Sequence, residues 1–301
     1  MFKGSIVALV TPFASGKVDE KKLRELVEFH VQAGTNAISP CGTTGESPTL
    51  SHEEHKRVLS IVIEQANKRI PVIAGTGSNA TDEALDLTRH AKKAGANGAL
   101  IVFPYYNKPT PQGQIQHFDA LAKVGLPIVL YNIPGRTGIN MAPETVAELS
   151  KREMIVAIKE AAGSLDQVSQ ILSLCDITVL SGDDSLTLPM MAIGAKGVIS
   201  VAANIVPRDV KEMVEHALQG RWDKARGLHY KLFNLCKALF IETNPIPIKT
   251  AMKEMGFSNG ELRLPLCAME PKNAVKLHEA LVAYGLLGKE KPSKPKVKIP
   301  S

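Results

Sequence analysis

Eight short runs rich in Val and Ile recur between Ile6 and Val201, each followed by a turn signal and a segment of helical spacing. This alternation restricts the fold more than any other feature of the chain. The runs are Ile6–Val10, Ala37–Ser39, Val72–Ala74, Ala99–Phe103, Ile128–Tyr131, Ile155–Lys159, Ile177–Leu180 and Val198–Val201. Helices are expected to start near Asp19, Ser51, Thr81, Thr110, Pro143, Ser164, Ser185 and Pro207. Ser51 and Glu54 have the spacing of a capping box, and Pro143 and Pro207 suit first-turn positions. Gly34, Gly95, Gly125, Gly194 and Gly220 mark helix ends.

Continuous apolar strands alternating with helices call for a parallel sheet covered on both faces. Eight such units in about 220 residues suit a closed barrel better than an open doubly wound sheet. From Trp222 to about Leu287 the pattern is helical only, broken by Asn244-Pro245-Ile246-Pro247 and by Leu264-Pro265. The expected fold is therefore α/β: a (β/α)8 TIM barrel over residues 1–221, a C-terminal helical appendage over 222–288, and a basic Pro- and Lys-rich tail over 289–301.

The net charge of +6 invites an anionic polymer as partner, but five lysines against Glu290 place four of those charges in the last thirteen residues. The body is near neutral, the tail reads as solvated, and nucleic-acid binding is not supported. Cys41, Cys175, Cys236 and Cys267 show no C-x-x-C spacing and lie in apolar runs, as reduced thiols do in a reducing compartment. The apolar start is ended by Pro12, and no run is long enough to cross a bilayer. A cytoplasmic protein with no membrane association is expected.

Barrel chemistry sits where strands end. Lys159 closes the apolar run Ile-Val-Ala-Ile-Lys, and by the two-residue period Ile155, Ala157 and Lys159 share a face. Burial there disfavours the ammonium form, and a neutral amine is what a Schiff-base nucleophile needs. A lysine paired with Glu160 or reaching the barrel rim fits the same pattern. Tyr131 ends the preceding run, on a face with Val129, and its phenol is within range of shuttling protons for Lys159; a rim tyrosine packed on loops is the other reading. Gly42-Thr43-Thr44-Gly45-Glu46 offers two hydroxyls and open backbone N–H groups, a nest for a carboxylate, or else only a tight turn. Arg136, between Gly135 and Gly138, can grip a second carboxylate through two parallel hydrogen bonds. His52 and His55 have metal-like spacing but no third His or Cys nearby, and Asp183-Asp184 reads better as a capped turn than as a cation site.

With Gly-Thr-Thr-Gly-Glu-Ser, Tyr-Asn-x-Pro-x-Arg-Thr-Gly and Ile-x-x-Ile-Lys-Glu-Ala placed in order on successive strands, the chain resembles the dihydrodipicolinate synthases of the N-acetylneuraminate lyase superfamily. The resemblance runs from the first strand through Glu242-Thr243-Asn244-Pro245-Ile246-Pro247. It implies that Lys159 forms an imine with pyruvate and that Thr43 and Thr44 hold the pyruvate carboxylate. It implies a proton relay of Tyr131, Thr43 and Tyr106, with Tyr106 reaching in from a neighbouring subunit. Arg136 would take the carboxylate of L-aspartate 4-semialdehyde, and Gly182 and Ile199 would supply backbone carbonyls. No metal or organic cofactor is implied, and the expected assembly is a homotetramer built as a dimer of dimers.

Lysine-sensitive relatives bind L-lysine through residues matching Ser47, Leu50, His52, His55, Asn79, Glu83 and Tyr105, all present here. Pro48 stands where those relatives usually carry alanine. The neighbouring alternatives are a pyruvate-dependent Schiff-base lyase acting on a keto-sugar acid, a metal-dependent aldolase, and an idle paralogue that senses lysine.

Overall fold

Parallel pairing joins the eight runs into one sheet in the computed structural model, which describes residues 2–288. The strands are β1 (Gly4–Ala8), β2 (Ala37–Ser39), β3 (Ile73–Gly75), β4 (Gly98–Val102), β5 (Ile128–Asn132), β6 (Ile155–Glu160), β7 (Thr178–Ser181) and β8 (Gly197–Ser200). Their spatial order is β2-β1-β8-β7-β6-β5-β4-β3. The two outer members meet through a parallel bridge between Ile38 and Val72, which closes the barrel. The tail expected over 289–301 lies outside the described residues.

Helices α1 (Glu20–Ala33), α2 (His52–Ala66), α3 (Thr81–Ala94), α4 (Pro111–Ala122), α5 (Pro143–Leu149), α6 (Leu165–Leu174), α7 (Thr187–Ala192) and α8 (Pro207–Leu218) follow the strands in turn. Half of them begin where side chains take up free backbone donors. Asp19 accepts from Lys22 N, Thr110 from Gly113 N and Ser164 from Gln167 N, while Ser51 and Glu54 complete the capping box. The start expected near Ser185 falls at Thr187, because a single tight turn over Asp184–Leu186 intervenes. Beyond the barrel lie α9 (Trp222–Ala238), α10 (Ile246–Glu254) and α11 (Pro271–Tyr284).

Several strand bounds shift by one residue from the apolar runs, and two larger departures have definite reasons. β1 starts two residues before its apolar run because Gly4 and Ser5 pair with Gly197 and Val198. A Cβ on Gly197 would stand 2.1 Å from Gly4 O, so the two backbones meet only because position 197 lacks one. In β6, the register against β5 slips between Ile128 and Val129, so that Ile128 faces Ile155 but Val129 faces Ala157. The extra residue, Val156, turns Ile155 to the helix side, and Ile155 does not share a face with Ala157 and Lys159 as the simple period predicts.

The barrel interior is a separate apolar cluster of Ile6, Ala8, Leu100, Val129, Ala157, Leu180 and Ile199, with Tyr131 at its edge. Outward side chains such as Val7, Ile38, Ile101, Leu130, Ile158 and Val179 pack under the helices. This filled interior supports the strand ends on which the polar groups sit.

Candidate active site

Tyr131 and Lys159 are paired across β5 and β6, one residue before the end of each strand. Both are buried, and Lys159 Nζ lies 4.2 Å from the centre of the Tyr131 ring. Glu160, next in the chain, points the other way: its carboxylate accepts from Asn132 Nδ2 at 3.0 Å on both oxygens and from Ala162 N at 2.8 Å. Pairing between Lys159 and Glu160 is thereby ruled out. Burial raises the Glu160 carboxyl to about 7, opposed by those hydrogen bonds.

Gly182 packs against the lysine stem, where a Cβ would stand 3.1 Å from Lys159 Cε and 2.6 Å from the Ala161 Cβ. Asp183, whose carboxyl is raised by burial, feels the Lys159 charge in the opposite direction. Asp184 is fully occupied as a cap, accepting from Val201 N at 2.9 Å, Ala202 N at 3.1 Å and the Ser200 hydroxyl. It therefore holds the loop after β8, whereas the turn over Asp184–Leu186 has no side-chain cap of its own, unlike the capped turn expected from the sequence.

A cavity of about 310 Å³ opens over this end of the barrel, with Thr43, Tyr131 and Arg136 in its wall. Lys159, Thr44, Gly182 and Ile199 are not in that wall; Lys159 packs behind it against Tyr131, which is. Thr44 is buried behind Thr43 and bonded through its hydroxyl to Asn244 Nδ2 at 3.0 Å. Ile199 is fully buried in the barrel interior. Arg136 donates from Nη2 to the Asn244 carbonyl at 2.9 Å and to Thr243 Oγ1 at 3.3 Å. Asn244 therefore touches both Thr44 and Arg136, a connection the sequence reading missed. Its only local signal was the break at Asn244-Pro245, which marks an end of a helix and not a partner across the barrel.

The chain matches the family model described as the dihydrodipicolinate synthetase family over residues 1–284. It belongs to that family. It is 59% identical over 290 residues to the 4-hydroxy-tetrahydrodipicolinate synthase of Geotalea uraniireducens, covering 95% of this chain and all of that protein. The crystal structure of dihydrodipicolinate synthase from Aquifex aeolicus superposes with a TM-score of 0.93 at 55% identity, covering 95% of this chain and 99% of that one. A structure of DHDPS from Cyanidioschyzon merolae with lysine bound superposes at 0.92 and 41% identity, over 95% and 99% of the two chains.

The residues that the family resemblance assigns to a regulatory site fall around the mouth of the cavity and beyond it. Ser47 and Tyr105 are in its wall. His52 is exposed, with Nε2 3.7 Å from Glu83, and Glu83 also accepts from Ser78 Oγ at 2.6 Å. His55 is buried on the same helix, its Nε2 2.7 Å from the Gly75 carbonyl, and burial keeps its pKa low. Leu50 is buried, and the Asn79 carbonyl accepts from Asn107 Nδ2 at 2.8 Å. Tyr106 is not part of this chain's own cavity; it is 89% exposed and held at a φ of 73°, a left-handed conformation unusual for an aromatic residue.

Proposed function

We propose that this chain is a Schiff-base lyase that condenses pyruvate with L-aspartate 4-semialdehyde to 4-hydroxy-tetrahydrodipicolinate, in the diaminopimelate route to L-lysine. The observation that carries this reading is the buried Lys159 against Tyr131, beside a cavity walled by Thr43 and Arg136. The relatives' shared name supplies the reaction.

The uncharged Lys159 amine attacks the pyruvate ketone, and loss of water leaves an imine whose carboxylate rests on Thr43 and Thr44. Removal of a methyl proton gives an enamine. Its terminal carbon attacks the aldehyde, forming the new carbon–carbon bond, and the resulting alkoxide takes a proton. The substrate amine then attacks the imine carbon, and departure of the Lys159 amine closes the ring. Tyr131 and Thr43 hand protons between these stages, with Tyr106 of a neighbouring copy completing the relay. Arg136, its Nη2 already anchored, meets the carboxylate of the second substrate as a charge-assisted pair. Gly182 and Ile199 contribute backbone carbonyls.

L-lysine acts as a feedback ligand at Ser47, Leu50, His52, His55, Asn79, Glu83 and Tyr105, and the enzyme works as a cytoplasmic homotetramer. The exposed, left-handed Tyr106 supports an assembled site, and the lysine-bound relative supports the regulatory one. No helix among the described residues is long and apolar enough to cross a membrane. The organisation into a barrel over 1–221 and a helical region over 222–288 is part of the same proposal.

The test is a coupled assay supplying pyruvate and L-aspartate 4-semialdehyde, with product followed by reduction, with and without L-lysine. Turnover that lysine inhibits supports both parts. Cleavage of a keto-sugar acid without turnover of the semialdehyde would overturn the reaction assigned here.

A further inference from the structure

The chain buries a second lysine that the reaction does not use. Lys249, on the first turns of α10, is 1% exposed, and Glu46, the last residue of Gly-Thr-Thr-Gly-Glu, is also 1% exposed. Lys249 Nζ donates to Glu46 Oε1 and, at 2.8 Å, to the Glu261 carbonyl, and it stands 4.1 Å over the Phe13 ring. The other Glu46 oxygen accepts from Arg263 N at 3.2 Å. Arg263 continues the contact outward: it lies 4.3 Å from the centre of the same Phe13 ring, and donates to Thr49 O, Gly16 O and both oxygens of Glu54.

Glu46 itself is held at a φ of 52°, so the turn takes a left-handed step there. Its N–H donates to the Thr43 carbonyl at 3.1 Å, and its carbonyl accepts from both Thr49 N and Thr49 Oγ1. Glu46 thus joins the turn that presents Thr43 and Thr44 through its backbone and the C-terminal region through its carboxylate. A charge buried this deeply is costly unless paired, and a paired one admits few arrangements.

We propose that Glu46 and Lys249 are positioning residues: a buried ion pair through which the C-terminal helices fix the turn that binds the pyruvate carboxylate. Lys249 is not in the cavity wall, and Glu46, which is, keeps its side chain fully buried against Lys249. The appendage after the barrel is thereby part of the catalytic apparatus, acting through Thr43 and Thr44. This inference rests on the reading that these threonines hold pyruvate.

The test compares the full-length chain with Lys249→Met and with Glu46→Gln, which keeps the acceptor shape and removes the charge. Two readouts are taken on each: hydrogen exchange at the amides of residues 43–47, and the pyruvate concentration giving half-maximal trapping by borohydride. The expected result is faster exchange confined to the turn, with strand amides unchanged. The half-trapping concentration should rise by about tenfold or more, the scale of a lost hydrogen bond to the charged pyruvate carboxylate. Trapping at saturating pyruvate should still reach completion. Unchanged exchange in the turn, or a loss of protection spread evenly over the barrel, would show the pair to be structural only. If Lys249→Met does not fold, Glu46→Gln decides alone. If the wild-type chain traps no pyruvate, the proposed reaction fails, and the exchange data still decide whether the pair holds the turn.

Discussion

Lys159 Nζ lies 4.2 Å from the centre of the Tyr131 ring, and the two residues are register partners on neighbouring strands. The ring packs on the amine and Tyr131 also lines the cavity, so packing and proton transfer can be tested separately. Tyr131→Phe keeps the ring contact and removes the proton. Folding should be unaffected, and kcat should fall by about 10²–10⁴, the range for loss of a general acid–base group. Steady-state kinetics with circular dichroism as control checks this; a fall below tenfold would remove Tyr131 from the relay.

Arg136 is tied by one nitrogen to Asn244 and Thr243, which fixes the guanidinium at the cavity wall. Arg136→Lys retains charge but not the planar fork. The KM for L-aspartate 4-semialdehyde should rise by about tenfold or more, the scale on which a charged hydrogen bond of 1.5–3 kcal/mol is lost. The pyruvate half-trapping concentration should not move. Equal effects on both substrates would mean that Arg136 shapes the cavity and does not select the second substrate.

Glu160 gives the fold a pH dependence of definite sign. Its pKa in the folded chain is about 7 against an ordinary value of 4.5, so between these values the folded chain retains a proton that the unfolded chain has released. The group's contribution to stability is then complete below about pH 4.5 and is lost as pH rises through about 7. Thermal melts of wild type and Glu160→Gln from pH 5 to 8 should converge at the acid end. Toward pH 8 the wild type should fall below the variant. Parallel curves would contradict a raised pKa.

His52 and Glu83 face each other at 3.7 Å on the exposed side of α2 and α3. If L-lysine binds there, His52→Ala should raise the half-inhibitory lysine concentration by about tenfold, a loss of roughly 1.4 kcal/mol, and leave pyruvate KM unchanged. Inhibition of the same strength in the variant would place the effector elsewhere.

The parts legible in the sequence are those governed by near neighbours. Strand and helix alternation, the caps at Asp19, Ser51, Thr110 and Ser164, and the placement of Lys159 beside Tyr131 all follow from spacing within a few residues or from adjacency of successive strands. The slip at Val156 was not legible, because a strand with one extra residue has the same apolar composition as a regular one. Nor was the pairing of Glu46 with Lys249, or of Thr44 with Asn244, each about two-thirds of the chain apart. Local pattern shows that Lys249 follows a Pro-rich break on an amphipathic helix. It carries no information about which strand-end loop that helix meets.

The two buried lysines make the central claim directly testable. The chain is incubated with pyruvate and borohydride, digested, and each lysine-containing peptide is weighed by mass spectrometry. The account predicts one reduced pyruvate adduct per chain, on Lys159, with Lys249 unmodified because its amine is engaged by Glu46 and the Glu261 carbonyl. No adduct, or an adduct on Lys249 with Lys159 untouched, would contradict it.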